Sequence, residues 1–136
     1  MCPDPGPGRS EDLRRFRWPL SDERLAQVIQ AIVERQARAI GIDLYRDLPV
    51  PPGGEQLAAV LARQEHVFGV TKLGDHRSPT IPAAEALRGT RRVGFADVVV
   101  DPDGTVRRGL LFLDHGGASH NAFALLLAIS DCRVHT

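Results

Sequence analysis

The sequence contains few of the residues and motifs that usually indicate a specific chemistry. It has two cysteines, one tryptophan, one tyrosine and one methionine among 136 residues. Cys2 and Cys132 lie near opposite ends of the chain, so they provide neither metal-ligand spacing nor a disulfide framework. No glycine-rich nucleotide loop, nucleophile elbow or zinc-protease motif occurs. We therefore predict no metal, no cofactor and no catalytic constellation.

Charge of one sign is also missing. Seventeen basic residues balance seventeen acidic ones, which gives a formal net charge of zero. Such a chain has no global field to hold a phosphate backbone, and we expect no nucleic-acid partner. No apolar run approaches the roughly 20 residues that cross a bilayer, and no signal-peptide core follows the first Met. We expect the chain as it stands to have neither a transmembrane segment nor a signal peptide.

What the sequence does contain is the pattern of one globular α/β domain. Hydrophobic residues make up 43% and charged residues 25%, which is ordinary for a soluble domain. Ser21 is predicted to cap an amphipathic helix whose apolar positions follow helical spacing. Those positions are Leu25, Val28, Ile29, Ile32 and Val33.

The remaining elements alternate between strand and helix patterns. They are a strand over 39–44, a helix over 55–63, a strand over 66–72, a short helix after Pro82, strands over 92–100 and 105–113, and a helix over 120–129. The turn Asp101–Gly104 would join the last two strands into a hairpin. Strands joined through helices pair in parallel, so we predict a mixed sheet with helices packed against it, a C-terminal antiparallel hairpin and a terminal helix.

Three of the candidate ligand-binding residues lie where a predicted strand ends. Asp43 follows a buried strand, and open α/β sheets bind ligands at the carboxyl ends of their strands. Arg46 and Asp47 follow in the same loop and could form a charged rim. The alternative for these residues is structural, because a carboxylate there can cap a turn and loop charges are usually solvated.

Asp97 interrupts an otherwise apolar strand and is predicted to face inward with its neighbours. Across the hairpin, Arg107 or Arg108 could bind it in a charge-assisted pair, which we favour over ligand binding. Asp97 and Arg108 nevertheless remain candidate ligand-binding residues. A third interpretation makes Asp43 and Asp97 the acid and base of a small hydrolase-like enzyme, which requires both carboxylates to converge in one pocket.

His115 and His120 are a further candidate pair, because neutral imidazoles can bind zinc. The sequence offers no third ligand nearby, and exposed loop histidines are the simpler interpretation.

Several segments taken together resemble one protein family. They are Trp18-Pro19-Leu20, the long helix, the strand Ile40-Gly41-Ile42-Asp43, and the run from Gly94-Phe95-Ala96-Asp97 through Asp103-Gly104 to Arg107-Arg108. From about residue 17 to 129 the chain resembles the type 2 CHASE domains, in the form found in cyanobacteria. These are extracytoplasmic sensory domains of bacterial receptors.

The resemblance implies a sensor rather than an enzyme. It implies an unidentified small-molecule stimulus, a membrane-anchored cyclase or kinase output in a parent receptor, and a periplasmic location. A homodimer is also expected, and a ligand-independent dimerisation module is the alternative function.

The resemblance also sets the expected domain limits. We expect a poorly ordered tail over 1–16, the sensory domain over 17–130 and a tail over 131–136. Members of the family have a strand before the Trp-Pro element, and Arg9–Phe16 offers none. A sheet that lacks a strand exposes an edge, so we expect marginal stability. Members of the family usually also carry membrane anchors, so we expect this chain to be a fragment of a receptor.

Overall fold

A computed structural model describes residues 19–133 of the protein. In chain order the elements are α1 (Asp22–Glu34), β1 (Ile40–Ile42), α2 (Gly54–Arg63), β2 (Val67–Thr71), a 3-10 turn (Glu85–Leu87), β3 (Val93–Phe95), β4 (Phe112–His115), β5 (Ala118–Asn121) and α3 (Phe123–Arg133). The predictions for the 1–16 tail, its missing strand and Cys2 lie outside the described residues. The helix α3 continues past residue 130, where the sensory domain was expected to end.

The centre of the fold is a parallel sheet in the order β1-β2-β3. Ile40 pairs with Val67, and Gly69 pairs with Val93. The strands β4 and β5 form an antiparallel hairpin, and a parallel bridge from Phe95 to the residue after β5 places this hairpin beside β3. The predicted α/β class, with its mixed pairing, C-terminal hairpin and terminal helix, is confirmed.

The helix α1 begins where its cap predicts. The Ser21 hydroxyl accepts a hydrogen bond from the Arg24 amide at 3.4 Å, and two acidic residues occupy the first turn, where the helix dipole favours them. Only part of the predicted apolar face is buried. Leu25 and Ile29 lie in the core, whereas Val28 is 49% and Ile32 39% exposed. The buried stripe is therefore narrower than the apolar spacing suggested.

The helices cover both faces of the sheet. One core cluster joins α1 and α2 to the first two strands, and its buried members are Leu25, Ala26, Ile29, Ile40, Ile42, Leu57, Leu61, Val67 and Leu87. The helix α3 packs on the other face, where strand glycines allow a close approach. A Cβ added to Gly94 would lie 2.5 Å from the Cα of Phe123. This glycine therefore sets how closely α3 sits against β3.

The antiparallel hairpin lies further along the chain than predicted. The strand expected over 92–100 ends at Phe95, and the segment 105–113 meets it only in an isolated bridge between Val99 and Arg108. The tight turn of the real hairpin is made by Gly116 and Gly117, at φ +58° and +78°. Two consecutive positive φ angles fit the right-handed twist of a two-residue hairpin, and glycine adopts them without strain.

The predicted helix after Pro82 is reduced to the single 3-10 turn Glu85–Leu87. The preceding residues are held by an antiparallel bridge between Lys72 and Ile81, which leaves little chain for a longer helix. Leu87 is only 1% exposed, because its side chain fills the space above Gly69. The turn therefore serves to place one leucine in the core.

Candidate functional site

Two predicted site residues meet around a tyrosine at the carboxyl end of the sheet. Asp43 directly follows β1, and Asp97 lies two positions after β3. Tyr45 lies two positions after Asp43 and is 43% exposed. Burial raises the pKa of the Tyr45 phenol, and the negative charges of Asp97 and then Asp43 raise it further. We call these three residues the carboxyl-edge cluster.

Asp97 has a structural partner that the sequence did not suggest. Its Oδ2 accepts a hydrogen bond from the backbone amide of Leu73 at 2.9 Å. The predicted ion pair between Asp97 and Arg107 or Arg108 is wrong, because that arginine pair turns towards other carboxylates. The bond to Leu73 ties the segment after β3 to the segment after β2, and so fixes one side of the carboxyl edge.

The two arginines form an exposed ion cluster around the turn at residues 101–104. Arg108 binds Asp101 at 2.7 Å, and Arg107 binds Asp101 at 3.0 Å and Asp103 at 2.6 Å. The hydrogen bond from Arg108 holds the pKa of Asp101 below its ordinary value, and the hydrogen bond from Arg107 lowers it further by a smaller amount. The Arg108 side chain is 71% exposed. Arg108 therefore belongs to the ion cluster around this turn.

Arg46 is buried instead of forming an exposed rim. Its side chain is 6% exposed and lies 3.5 Å from the Asp22 carboxylate, which is 4% exposed. Its Nη2 donates to the carbonyl of Leu20. The other Asp22 oxygen accepts from the Val50 amide at 3.0 Å. This arrangement clamps the loop after β1 onto the first turn of α1, which makes Arg46 a structural residue.

Asp47 lines a small cleft beside that clamp. The cleft has a volume of about 180 Å³ and is lined by Asp22, Arg46, Asp47 and the start of α2. The Asp47 carbonyl accepts a hydrogen bond from Arg88 at 3.3 Å. The five predicted site residues are therefore divided among three places: the carboxyl-edge cluster, the clamp with its small cleft, and the turn at residues 101–104.

A larger cleft at the amino end of the sheet was missed by the sequence reasoning. Its volume is about 630 Å³, within the range of about 300–1,000 Å³ typical of small-molecule sites. It lies between the beginnings of β2 and β3, the strand β5 and one face of α3. Adjacent arginines at 91 and 92 were the available signal, but nothing local places them beside α3.

The histidine pair also lies near this cleft. The rings of His115 and His120 are 6.3 Å apart in an edge-on arrangement, and Nε2 of His120 lies 3.2 Å from the carbonyl of His115. Within residues 19–133, no group of three or more His, Cys, Asp or Glu side chains is placed to hold a metal ion. The pair is explained by the hairpin that brings its two strands together.

A comparison with protein-family models matches residues 9–134 to the CHASE2 domain. Searches of curated proteins and of solved structures gave no match. Because the match covers nearly the whole chain, this protein belongs to the CHASE2 domain family.

CHASE2 is a family of extracytoplasmic sensory domains, which occur in receptors linked to cyclases or kinases and are not catalytic. The family therefore confirms the resemblance that the sequence segments indicated. Among residues 19–133, no helix has the length and apolar character needed to span a bilayer.

Proposed function

We propose that this protein is the ligand-binding sensory module of a bacterial transmembrane receptor, held outside the cytoplasm and coupled to a cyclase or kinase output. The observation that carries the proposal is the carboxyl-edge cluster, in which Asp43 and Asp97 both act on the half-exposed phenol of Tyr45. Two carboxylates beside an aromatic ring favour a small ligand that carries positive charge or hydrogen-bond donors.

The cluster is positioned to pass a change to the rest of the fold. Asp97 is bonded to Leu73, so a ligand that draws on the Asp97 carboxylate competes with the bond that joins two loops. The strand that precedes Asp97 packs through Gly94 against the first residue of α3. A ligand with different affinity for two packings of α3 would shift their populations, and α3 would transmit the signal.

A thermal-melt screen of the full chain tests this proposal. A ligand present at one hundred times its dissociation constant stabilises the native state by about 2.7 kcal/mol. We expect a specific rise in melting temperature with a cationic or donor-rich metabolite, and we expect Asp43→Asn to remove it. The matched control is Asp114→Asn, an exposed carboxylate on β4. A cooperative melt that no compound shifts would refute ligand sensing.

A second candidate function is dimerisation without a ligand, and the exposed side of α1 favours it. Val28 and Ile32 lie one helical turn apart and are 49% and 39% exposed. Two copies could bury these side chains against each other, since a twofold interface uses the same patch on both subunits.

Sedimentation at several concentrations tests the dimer. Ile32→Glu should shift the chain to monomer, while Gln27→Glu, an exposed change on the same helix, should not. A wild-type chain that stays monomeric at every concentration would exclude this function.

A further inference from the structure

The cleft at the amino end of the sheet has one apolar wall. Phe68 and Leu126 are 8% and 9% exposed and line it together with Val93 and Ile129. Phe68 comes from β2 and Leu126 from α3, so the wall is formed where the terminal helix crosses the sheet. Such a wall favours a ligand with an apolar body.

The lining of the cleft also carries hydrogen-bond donors and positive charge. Arg92 is held in place because its Nη1 donates to the carbonyls of Leu61, Gln64 and Val67 at 2.7, 2.8 and 3.4 Å. These bonds satisfy carbonyl groups at the end of α2 and the start of β2, and the guanidinium charge stays at the cleft. Arg92 therefore contributes a fixed positive charge, while the hydrogen bonds from its Nη1 stabilise the backbone.

Arg91 is the arginine that is available to a ligand. It lines the cleft, is exposed, and forms no hydrogen bond or ion pair with another residue of the part that the structure describes. A guanidinium group binds a carboxylate through two parallel hydrogen bonds. The lining contains one carboxylate, that of Glu65, against the two arginines. The charge of the cleft is therefore positive.

We infer that this cleft is a second binding site, which takes a small organic carboxylate with an apolar body. Arg91 binds the carboxylate, Arg92 adds a fixed positive charge, and the apolar body lies against Phe68 and Leu126. Ile129 of α3 also contacts the space that the ligand fills. Occupancy of this site would therefore act directly on the terminal helix, from the end of the sheet opposite to the carboxyl-edge cluster.

Calorimetric titration of the full chain with three probes tests the inference. The probes are benzoate, benzylamine as its cationic counterpart, and inorganic phosphate as an anion without an apolar body. Benzoate should bind, and the other two should bind at least about tenfold more weakly, which corresponds to about 1.4 kcal/mol. Methyl resonances of Leu126 and Ile129 should shift with benzoate, while the ring resonances of Tyr45 should not.

The variant Arg91→Gln should weaken benzoate binding by about tenfold, because it removes one charge-assisted pair. Arg77→Gln is the matched control, since Arg77 is exposed in the loop after β2, at the other end of the sheet. Equal binding of benzoate and benzylamine, equal binding of benzoate and phosphate, no binding of benzoate, or an Arg91→Gln variant with unchanged affinity would each overturn the inference. None of these results depends on the carboxyl-edge cluster.

Discussion

The two ends of the parallel sheet are built differently. At the carboxyl end the strands lead into long connections, such as residues 72–84 after β2, whose polar groups are bonded to one another. At the amino end the chain enters β2 three residues after α2, and it enters β3 after the 3-10 turn Glu85–Leu87. The helix α3 lies alongside this end of the sheet. The carboxyl end therefore presents polar side chains and a small cleft of about 180 Å³, whereas the amino end forms a larger cleft of about 630 Å³.

The difference shows which kinds of site a positional rule can and cannot predict. Open α/β sheets gather ligand-binding groups at the carboxyl ends of their strands, and that rule led to Asp43 as a candidate. Asp97 was a candidate for a different reason, because it interrupts an apolar run. It says nothing about where the packing of a terminal helix leaves a cavity. The cleft exists because α3 and β5 approach the sheet near the start of β3, and this is a property of tertiary packing alone.

The largest expected effect concerns the clamp at the carboxyl end. Arg46→Ala should destabilise the chain by about 3–5 kcal/mol, because it leaves the buried Asp22 carboxylate without its countercharge. The comparison is Arg108→Ala, which removes an exposed ion pair and should cost no more than about 1 kcal/mol. Urea denaturation of both variants measures the difference. Equal losses would contradict the assignment of Arg46 to a buried clamp.

A smaller effect is expected where α3 meets the sheet. Gly94→Ala should destabilise the chain by about 1–3 kcal/mol, because the added methyl group collides with the backbone of Phe123. It should also weaken benzoate binding in the cleft that α3 helps to form.

Gly109→Ala is the matched control, since a Cβ at Gly109 meets no atom within 4 Å. Gly109→Ala should be neutral or stabilising by up to about 1 kcal/mol. Urea denaturation measures both changes, and a neutral Gly94→Ala would show that α3 does not press on β3.

The smallest effect concerns the exposed turn at residues 101–104. Arg108→Gln should raise the pKa of Asp101 towards its ordinary value of 3.8, because it removes the strongest hydrogen bond that lowers it. Because the pKa of Asp101 is lowered in the folded state, the ionised carboxylate stabilises the fold at pH values above its ordinary pKa of 3.8. This contribution is lost as the pH falls through the lowered pKa.

Carboxyl carbon resonances followed against pH give the pKa of Asp101 directly. Asp75 is the internal control, since backbone amides of Arg77 and Ser78 chiefly lower its pKa. An unchanged pKa of Asp101 in Arg108→Gln would show that Arg108 does not pair with Asp101.

The sequence predicted best what local chemistry decides. Helix α1 starts after its Ser21 cap, and α2 was predicted over 55–63 and runs over Gly54–Arg63. Hydrophobic spacing and capping act within a few residues, so a single sequence displays them. Gly116 and Gly117 were also a local signal, because two glycines between short alternating runs favour a hairpin turn. The turn sequence at residues 101–104 is a stronger signal, and the hairpin was therefore predicted at the wrong place.

Long-range partners could not be predicted in the same way. Asp97 bonds to Leu73 and Arg46 pairs with Asp22, and in both cases the partners are 24 positions apart. The first contact needs the formed sheet, because the loops after β2 and β3 meet at one edge. The second needs the first turn of α1 to pack beside the loop after β1. The sequence predicted Asp43 at the end of a strand but Asp97 inside a strand over 92–100, whereas β3 ends at Phe95. It also gave no sign that Arg46 is buried.

The most direct test of the carboxyl-edge cluster is an absorbance titration of tyrosine in the full chain. The sequence has one tyrosine, so the signal belongs to Tyr45 alone. We expect a pKa above the ordinary 10.0, with a partial fall in Asp97→Asn and a smaller fall in Asp43→Asn, since burial supplies the largest part of the shift. A pKa at the ordinary value, or one unchanged in both variants, would contradict the convergence of these three side chains.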